Sequence, residues 1–259
     1  TMHVVTQPIH YVRVNNPTPS APYTTWATAA TTIQNAVNAC RVLGGKVLVS
    51  NGVYSVGGTL TPGGLLTNRV VVTNALVVES VNGPSVTTIL GQGSTDSDAM
   101  RCVYLANGAV LSQFTLSGGC TLTTGGPQDK YGGGVYAPGG VLTNCAIDEN
   151  VGGASYGALY NCSFYGNSNF AASFYCSLKD CTLTGNKKGG AQGGLLNHCT
   201  LTSNSREVGG GGGASYCTLT NCDLNFNSTD AEGGGAKYCT LYNCTFMGNS
   251  ADGIGGGAN

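Results

Sequence analysis

VLTNCAIDEN (141–150) is the first of six related ten-residue segments that together decide the fold. The other copies are ALYNCSFYGN (158–167), SLKDCTLTGN (177–186), LLNHCTLTSN (195–204), TLTNCDLNFN (218–227) and TLYNCTFMGN (240–249). Their central cysteines are separated by 17, 19, 18, 23 and 22 residues. A constant motif at a variable interval is typical of a solenoid, because each coil keeps its strands in register while its loops change length.

The motif contains two positions that are always apolar. Leu stands three residues before the cysteine, and Leu, Ile or Phe stands two residues after it. These positions are five apart, so a single straight strand would point them to opposite faces. The residue before the cysteine is mostly Asn, which tolerates the left-handed backbone region. We therefore predict a corner at that residue, which turns both the Leu and the Cys inward.

Two further features complete the repeat. An Asn ends every copy and is predicted to form a second corner, followed by a variable loop and a Gly-rich strand such as GGGASY (211–216). A degenerate copy, VLSQFTLSGG (110–119), has Phe114 at the cysteine position. The long interval between Phe114 and Cys145 predicts an inserted loop over residues 118–134.

The repeat resembles the right-handed parallel β-helix of the pectate-lyase-like superfamily, and more closely the repeats of polymorphic bacterial surface proteins of the adhesin type. The resemblance covers about residues 46–259. It implies an all-β fold, a single-stranded right-handed parallel β-helix of roughly nine or ten coils. Such families often close the first coil with a helix.

The N-terminal part fits that expectation. Residues Ile33, Ala36, Val37, Cys40 and Leu43 share one face at helical spacing, Thr31 or Thr32 can cap the helix, and glycines 44 and 45 can end it. We divide the chain into an N-terminal arm with a capping helix, 1–45, and a β-helix, 46–259, whose C-terminal end is expected to be uncapped.

Composition narrows the classes of function. Only 9% of the 259 residues are charged, 42 are Gly, and the formal net charge is −1. A chain without a cationic surface is a poor ligand for nucleic acid or acidic membranes, so we expect neither as a partner. There is no apolar stretch of membrane-spanning length.

The twelve cysteines do not indicate a metal site. The spacing C-x4-C, as in Cys176 and Cys181, differs from the CxxC spacing of structural zinc sites. Most are expected to be buried free thiols, although a minority could pair as disulfides. Asp96 and Asp98 form one close acidic pair, which a turn explains as well as calcium does. No metal and no cofactor is expected.

Charged residues gather in the loops after the closing Asn, and stacking should bring these loops together as one lateral ribbon. A polysaccharide could bind there, with exposed tyrosines stacking on its sugar rings. The expected glycan contacts are Lys187, Lys188, Arg206, Glu207, Asp230, Glu232, Asp252, Tyr160 and Tyr242. These loops lack a repeated acidic motif for calcium, so no catalytic residue is assigned.

These features predict a non-catalytic structural or adhesive β-solenoid, extracellular or on a bacterial cell surface. Its partners would be surface glycans or other copies of itself. In the second case the arm over residues 1–16 would lie along a neighbour and build a filament head to tail. The alternative is a polysaccharide lyase or a glycan-binding module that uses the loop ribbon.

Overall fold

The computed structural model describes residues 8–93 and 98–259. Within them the strands form a 17-stranded, a nine-stranded and a three-stranded sheet. The helices are α1 (Ile33–Ala39), a 3-10 turn (Pro84–Val86) and α2 (Pro127–Lys130). Asp96 and the HVV part of the predicted arm lie outside the described residues.

The strands are short and follow one another in a regular cycle. In chain order they are β1 (Ile9–Val12), β2 (Lys46–Val49), β3 (Gly52–Tyr54), β4 (Thr59–Leu60), β5 (Thr67–Val72), β6 (Val77–Ser80), β7 (Thr87–Leu90), β8 (Met100–Leu105), β9 (Val110–Ser112), β10 (Thr115–Ser117), β11 (Val135–Tyr136), β12 (Val141–Thr143), β13 (Ala146–Asp148), β14 (Ala154–Ser155), β15 (Ala158–Tyr160), β16 (Ser163–Tyr165), β17 (Ser173–Lys179), β18 (Thr182–Thr184), β19 (Ala191–Asn197), β20 (Thr200–Thr202), β21 (Ser205–Arg206), β22 (Ala214–Ser215), β23 (Thr218–Thr220), β24 (Asp223–Asn225), β25 (Ser228–Thr229), β26 (Ala236–Lys237), β27 (Thr240–Tyr242), β28 (Thr245–Met247) and β29 (Ser250–Ala251).

Three long faces result from stacking these strands. Face A runs through β5, β8, β11, β14, the first halves of β17 and β19, β22 and β26. Face B runs from β1 and β2 through β6, β9, β12 and β15, then the second halves of β17 and β19, to β23 and β27. Face C is the nine-stranded sheet from β3 to β28. The nine strands of face C, one in each coil, correspond to nine coils in the described residues, and the predicted parallel β-helix is confirmed.

Single left-handed residues make the corners. The predicted corner before the cysteine is present in every copy, with φ between 49° and 67°, at Gln113, Asn144, Asn161, Asp180, His198, Asn221 and Asn243. The corner after face C differs from the prediction, because it lies one residue before the closing Asn, as at Gly166 and Gly185. The closing Asn itself points inward, and it is buried in the five copies from Asn150 to Asn227.

The interior consists of aligned columns. The Leu of the motif lies in register from Leu111 through Leu142 to Leu219, and each of these is fully buried. The central cysteines are buried from Cys145 to Cys222. Backbone N–H groups of one coil reach the thiol of the next, as in Cys162 N to Cys181 Sγ at 3.5 Å. A parallel stack buries identical apolar side chains against each other, so every coil extends one core.

The closing asparagines form a hydrogen-bonded column. Asn167 donates from Nδ2 to Asn186 Oδ1 at 3.0 Å and to the Ile147 carbonyl at 2.8 Å, and its backbone N–H also reaches Asn186 Oδ1. The same pattern joins Asn150, Asn167, Asn186, Asn204, Asn227 and Asn249. These bonds satisfy polar groups that the solenoid buries.

The N-terminal segment closes the first coil. Thr32 caps α1 by accepting a hydrogen bond from the Asn35 backbone N–H, and Ile33, Ala36 and Val37 are buried. Leu43 was predicted on the same buried face, but it is 70% exposed because the helix ends at Ala39. Within the described residues, no helix has the length and apolarity of a membrane span.

The described part of the arm is held within its own chain. β1 pairs with β2 along one edge. Along the other edge Tyr11 exchanges hydrogen bonds with the 20–30 segment, through Tyr11 N to Tyr23 O and Ala30 N to Tyr11 O, both at 2.8 Å. The backbone groups of β1 are therefore paired within the chain, so this strand presents no free edge to another copy.

Candidate functional site

Three of the seven charged residues predicted for the loop ribbon form ion pairs in the described part of the chain. Lys188 Nζ lies 2.5 Å from Glu207 Oε2 on the next coil, and Glu232 lies 3.1 Å from Lys237. Lys187, Asp230 and Asp252 are exposed. Arg206 turns back over face A, where its NH1 group donates to Gln192 Oε1 at 3.1 Å and to Ser215 Oγ at 3.4 Å.

The two predicted tyrosines lie elsewhere. Tyr160 and Tyr242 end strands of face B, whereas the loops lead into face A. Between them in the same outward column stand Lys179, Asn197 and Thr220. The structure therefore does not bring these tyrosines together with the loop residues or with each other.

Face A carries a larger aromatic surface that the sequence reasoning missed. We call it the aromatic strip, and it consists of Tyr104, Tyr131, Tyr136, Tyr156, Phe170, Phe174 and Tyr175. Tyr104 and Tyr136 stack with ring centroids 6.0 Å apart, and Tyr136 contacts Tyr156 at 5.4 Å. Tyr156 stacks on Tyr175 at 6.0 Å, with an interplanar angle of 6°.

The remaining rings widen the strip. Phe174 lies edge-on to Tyr175 at 4.7 Å and stacks on Tyr131 at 4.5 Å. Tyr131 in turn contacts Phe170 edge-on at 5.4 Å. All seven rings thus form one continuous contact network over successive coils, with Tyr175 54% exposed and Phe170 36% exposed.

Strand register explains why the rings meet. Tyr104, Tyr136 and Phe174 occupy the same outward column of face A, with Ser155 between the last two. Tyr156 and Tyr175 stand one residue further on, at the corner between faces A and B. Because neighbouring parallel strands are about 4.8 Å apart, side chains in one outward column contact their equivalents on the next coil.

Tyr is an unusual residue for this corner. The corner residues Tyr156, Tyr175, Tyr216 and Tyr238 have φ of 58°, 52°, 55° and 52°. An L-residue with a bulky side chain loses about 1 kcal/mol in this region relative to Gly. The corner before the cysteine has Asn in four of its seven copies, so the backbone does not require a ring. A strained residue with an exposed side chain indicates a role outside the core.

The inserted loop supports one side of the strip. It folds back on the solenoid, and the Asp129 carboxylate accepts hydrogen bonds from the backbone N–H groups of Leu65 at 2.8 Å and Leu66 at 3.0 Å. The buried Arg101 guanidinium donates to the Gly132 carbonyl at 2.8 Å and the Tyr131 carbonyl at 3.0 Å. These bonds fix the backbone that carries Tyr131.

Arg101 also contacts the strip directly. Its guanidinium carbon lies 5.2 Å from the centroid of the Tyr136 ring, on its face. Burial lowers the pKa of Arg101 to about 9, and the Asp129 carboxylate opposes that shift. The guanidinium therefore stays charged at neutral pH and holds the ring by a desolvated cation–π contact.

Two concave regions flank the strip. One, of about 510 Å³, is bordered by Tyr136, Tyr156 and Tyr175 together with the Pro138–Gly140 turn. The other, of about 380 Å³, lies between the inserted loop and the following coils and is bordered by Tyr131 and Phe170. The strip thus has a groove at its corner edge and a cavity at its loop edge.

A second aromatic pair continues the corner column. Tyr216 and Tyr238 lie 5.3 Å apart, and Lys237 Nζ lies 5.0 Å from the centroid of Tyr238. Gly193 occupies the corner between Tyr175 and Tyr216, and the Tyr175 ring folds over it, since a Cβ built there would come within 2.8 Å of the ring. A sequence signal for this column exists, because these corner tyrosines each stand six residues before the central cysteine.

Other titratable groups lie away from the strip. Asp148 belongs to face C, where burial and the neighbouring Glu149 raise its pKa to about 6. A hydrogen bond that the protonated thiol donates to the preceding cysteine of the column raises the pKa of Cys181 and Cys199 to about 12, and burial adds to it. Such thiols are poor nucleophiles. In the described part of the chain, no three potential ligands converge as a metal site would require.

Comparison with known proteins identifies the fold. The structure of pectate lyase Pel9A superposes with a TM-score of 0.58 at 15% identity, covering 96% of this chain and 70% of that one. A rhamnogalacturonan lyase gives 0.47 at 12% identity, covering 91% and 85%. The A-module of the Azotobacter vinelandii mannuronan C-5 epimerase AlgE6 gives 0.45 at 15% identity, covering 81% and 70%.

Sequence comparison adds no relative. No family model matches the chain, and no curated protein sequence matches it. At 15% identity the similarity to pectate lyase concerns the fold alone. The chain thus has a pectate-lyase-like parallel β-helix.

Proposed function

We propose that this protein is a non-catalytic, carbohydrate-binding β-solenoid that acts as an adhesive element outside the cell. In this proposal an extended polysaccharide lies along the aromatic strip, parallel to the solenoid axis. The observation that carries the proposal is the placement of tyrosine at strained left-handed corners, with ring stacked on ring over successive coils.

Ring chemistry supports a sugar ligand. The face of an aromatic ring carries negative charge density, so it attracts the polarised C–H groups on the flat side of a pyranose ring. The phenol groups of Tyr156 and Tyr175 add hydrogen-bonding atoms at the rim. A row of rings spaced by 5.4 to 6.0 Å offers a repeating platform to a repeating polymer.

The net charge argues against single-stranded nucleic acid, the other kind of polymer that stacks on rows of aromatic rings. Single-stranded nucleic acid uses aromatic platforms together with a cationic groove. This chain has a formal charge of −1. A neutral platform favours a polymer whose backbone is not a polyanion of phosphates.

The test compares a tyrosine of the aromatic strip with a tyrosine of face B. Asn tolerates the left-handed region, so Tyr175→Asn removes a ring without adding backbone strain. Tyr160→Asn removes a comparably exposed ring from face B and serves as the control. Binding is screened by affinity electrophoresis on neutral and acidic polysaccharides and then measured by calorimetry.

We expect Tyr175→Asn to weaken binding by about tenfold, as the loss of roughly 1–1.5 kcal/mol of aromatic contact predicts. Tyr160→Asn should bind as the unmodified protein does. Equal loss in both variants, or binding of single-stranded DNA in preference to every glycan, would contradict the proposal.

A polysaccharide lyase is the second candidate, and Arg206 is the residue that favours it. Burial lowers the pKa of this guanidinium, and among the described residues it forms no ion pair with a carboxylate. A lyase would release unsaturated products that absorb in the ultraviolet. Product formation that is lost in Arg206→Ala, with Lys187→Ala and Lys188→Ala as comparisons, would replace the non-catalytic proposal.

Self-association is a separate proposal. Because both edges of β1 are paired within the chain, a filament would have to grow through other surfaces. Sedimentation velocity over a hundredfold range of concentration tests it. A species that lengthens with concentration supports assembly, and a constant monomer contradicts it.

A further inference from the structure

The cavity at the loop edge of the aromatic strip has the character of a small-molecule site. Its volume is about 380 Å³, and Leu122, Val151, Tyr131 and Phe170 supply its apolar walls. Pockets of about 300–1,000 Å³ hold small organic ligands, so this one has room for a single-ring group with a short side arm. Leu122 and Val151 rest on a small buried cluster that includes Leu66 and Cys120.

The two aromatic walls favour a planar guest. Tyr131 and Phe170 meet edge to face at 5.4 Å, with an interplanar angle of 79°. A ring that enters the cavity can stack on one wall and approach the other with its edge, which are the two preferred geometries of aromatic pairs. An aliphatic group of the same volume would gain only the apolar burial.

Polar groups lie at the rim of the cavity. Lys130, at the end of α2, borders it and forms no ion pair within the described part of the chain. Asn169 borders it with a left-handed backbone, φ 64°, and an exposed side chain. An ammonium and an amide at the mouth can donate hydrogen bonds to a carbonyl oxygen on the guest.

The cavity is continuous with the strip. Tyr131 forms one wall of the cavity, and its ring also stacks on Phe174 at 4.5 Å. A group attached to a sugar on the strip therefore needs only a short linker to reach the cavity. Once the sugar is bound to the strip, binding of its attached group in the cavity is intramolecular, and this second contact raises the affinity of the whole ligand.

From these observations we propose that the cavity binds an aryl acyl group, of the hydroxycinnamoyl type, that is esterified to the polysaccharide on the strip. The aryl ring lies in the corner that Tyr131 and Phe170 form, and the ester carbonyl accepts a hydrogen bond from Lys130. The attachment to a polysaccharide rests on the proposed function, whereas the affinity of the cavity for the aryl ester does not.

The first experiment examines the cavity alone. Methyl 4-hydroxycinnamate is added to the full chain, and binding is followed by saturation-transfer NMR. Val151→Phe and Leu122→Phe each fill the cavity with an apolar ring, and Tyr160→Asn is the control because Tyr160 lies on face B and does not line the cavity. Retained melting temperature and circular dichroism identify the variant that has kept the fold.

We expect the unmodified protein and Tyr160→Asn to bind the ester, and at least one folded filling variant to bind it tenfold or more weakly. Lys130→Met should weaken binding by a smaller factor. Absence of binding to the unmodified chain, or equal binding to the folded filling variants, would overturn the inference.

The second experiment separates the cavity from the strip. Arabinoxylan that carries hydroxycinnamoyl esters is compared with the same sample after alkaline deacylation. A preference for the acylated form that disappears in the filling variant supports the linkage to the polysaccharide. Equal binding of both forms would contradict the proposal that the aryl group is attached to the polysaccharide, but not the proposal that the strip binds polysaccharide. Binding of methyl 4-hydroxycinnamate without any polysaccharide binding would contradict the proposed function, but not the proposal that the cavity binds an aryl ester.

Discussion

Removing one member of the asparagine column should lower the free energy of unfolding by several kcal/mol, and Asn186 is the best position for the test. Its Oδ1 accepts from the backbone N–H and the Nδ2 of Asn167, both at 3.0 Å. Its Nδ2 donates to Asn204 Oδ1 at 2.8 Å and to the Phe164 carbonyl at 3.3 Å. Asn186→Ala deletes all four hydrogen bonds inside the buried stack.

A net value of about 1 kcal/mol for each buried hydrogen bond gives a loss of about 3–5 kcal/mol. The loss should exceed the value of a single hydrogen bond, because the substitution also takes the acceptor from the buried backbone N–H of Asn167. Asn197→Ala is the matched control, since Asn197 is exposed on face B and should change stability by less than about 0.5 kcal/mol.

Urea unfolding at 25 °C, followed by both circular dichroism and tyrosine fluorescence, measures the difference. Asn186→Asp adds a second readout, because its ionised carboxylate would face two acceptors while a protonated carboxyl can donate to one. The loss of unfolding free energy in Asn186→Asp should therefore become smaller as the pH is lowered. A loss below about 1 kcal/mol for Asn186→Ala would refute the reasoning that these bonds stabilise the stack.

Three other predictions concern single sites. Arg101→Met should destabilise the protein by about 3 kcal/mol or more by leaving several carbonyls unpaired, and hydrogen exchange should show faster exchange at the Leu65 amide, whose partner Asp129 lies in the same loop. The pKa of Asp148 is raised to about 6 in the folded state, so the free energy of unfolding should fall as the pH rises from about 4 to 6. Asp148→Asn should abolish this contribution to the pH dependence, and its free energy of unfolding at pH 7 should exceed that of the unmodified protein by about 1 kcal/mol, allowing for solvent screening. Iodoacetamide at pH 8 should leave Cys181 unmodified until urea is added, because its pKa is raised to about 12, and rapid labelling in the native state followed by mass spectrometry would contradict its burial.

The sequence predicted the repeat unit well because the signals are local. The left-handed residue before each cysteine could be identified from Asn and its variants, and all seven copies adopt that conformation. The inward direction of Leu and Cys followed from the strand alternation on either side of that corner. The second corner was placed one residue late, since the closing Asn looked like another turn residue whereas its amide is needed inside the stack.

The candidate site was predicted less well because it depends on contacts between coils. The loop residues were expected to act together with Tyr160 and Tyr242, but these tyrosines lie on face B. Tyr104 and Tyr136 belong to irregular coils outside the repeated motif, so no column in the sequence aligned them. The tyrosines at the corner did recur at a fixed distance from the cysteine, and this signal was available.

The sequence by itself determined that the chain winds as a parallel β-helix with Leu, Cys and Asn inside, because a repeated pattern of alternation and left-handed corners is encoded within each coil. Tertiary structure alone decided which outward side chains form a surface. The register between coils brings Tyr104, Tyr136 and Phe174 into one column, and the inserted loop returns Tyr131 to the same place. Such proximity arises from stacking and loop docking over long sequence separations, which local propensities do not specify.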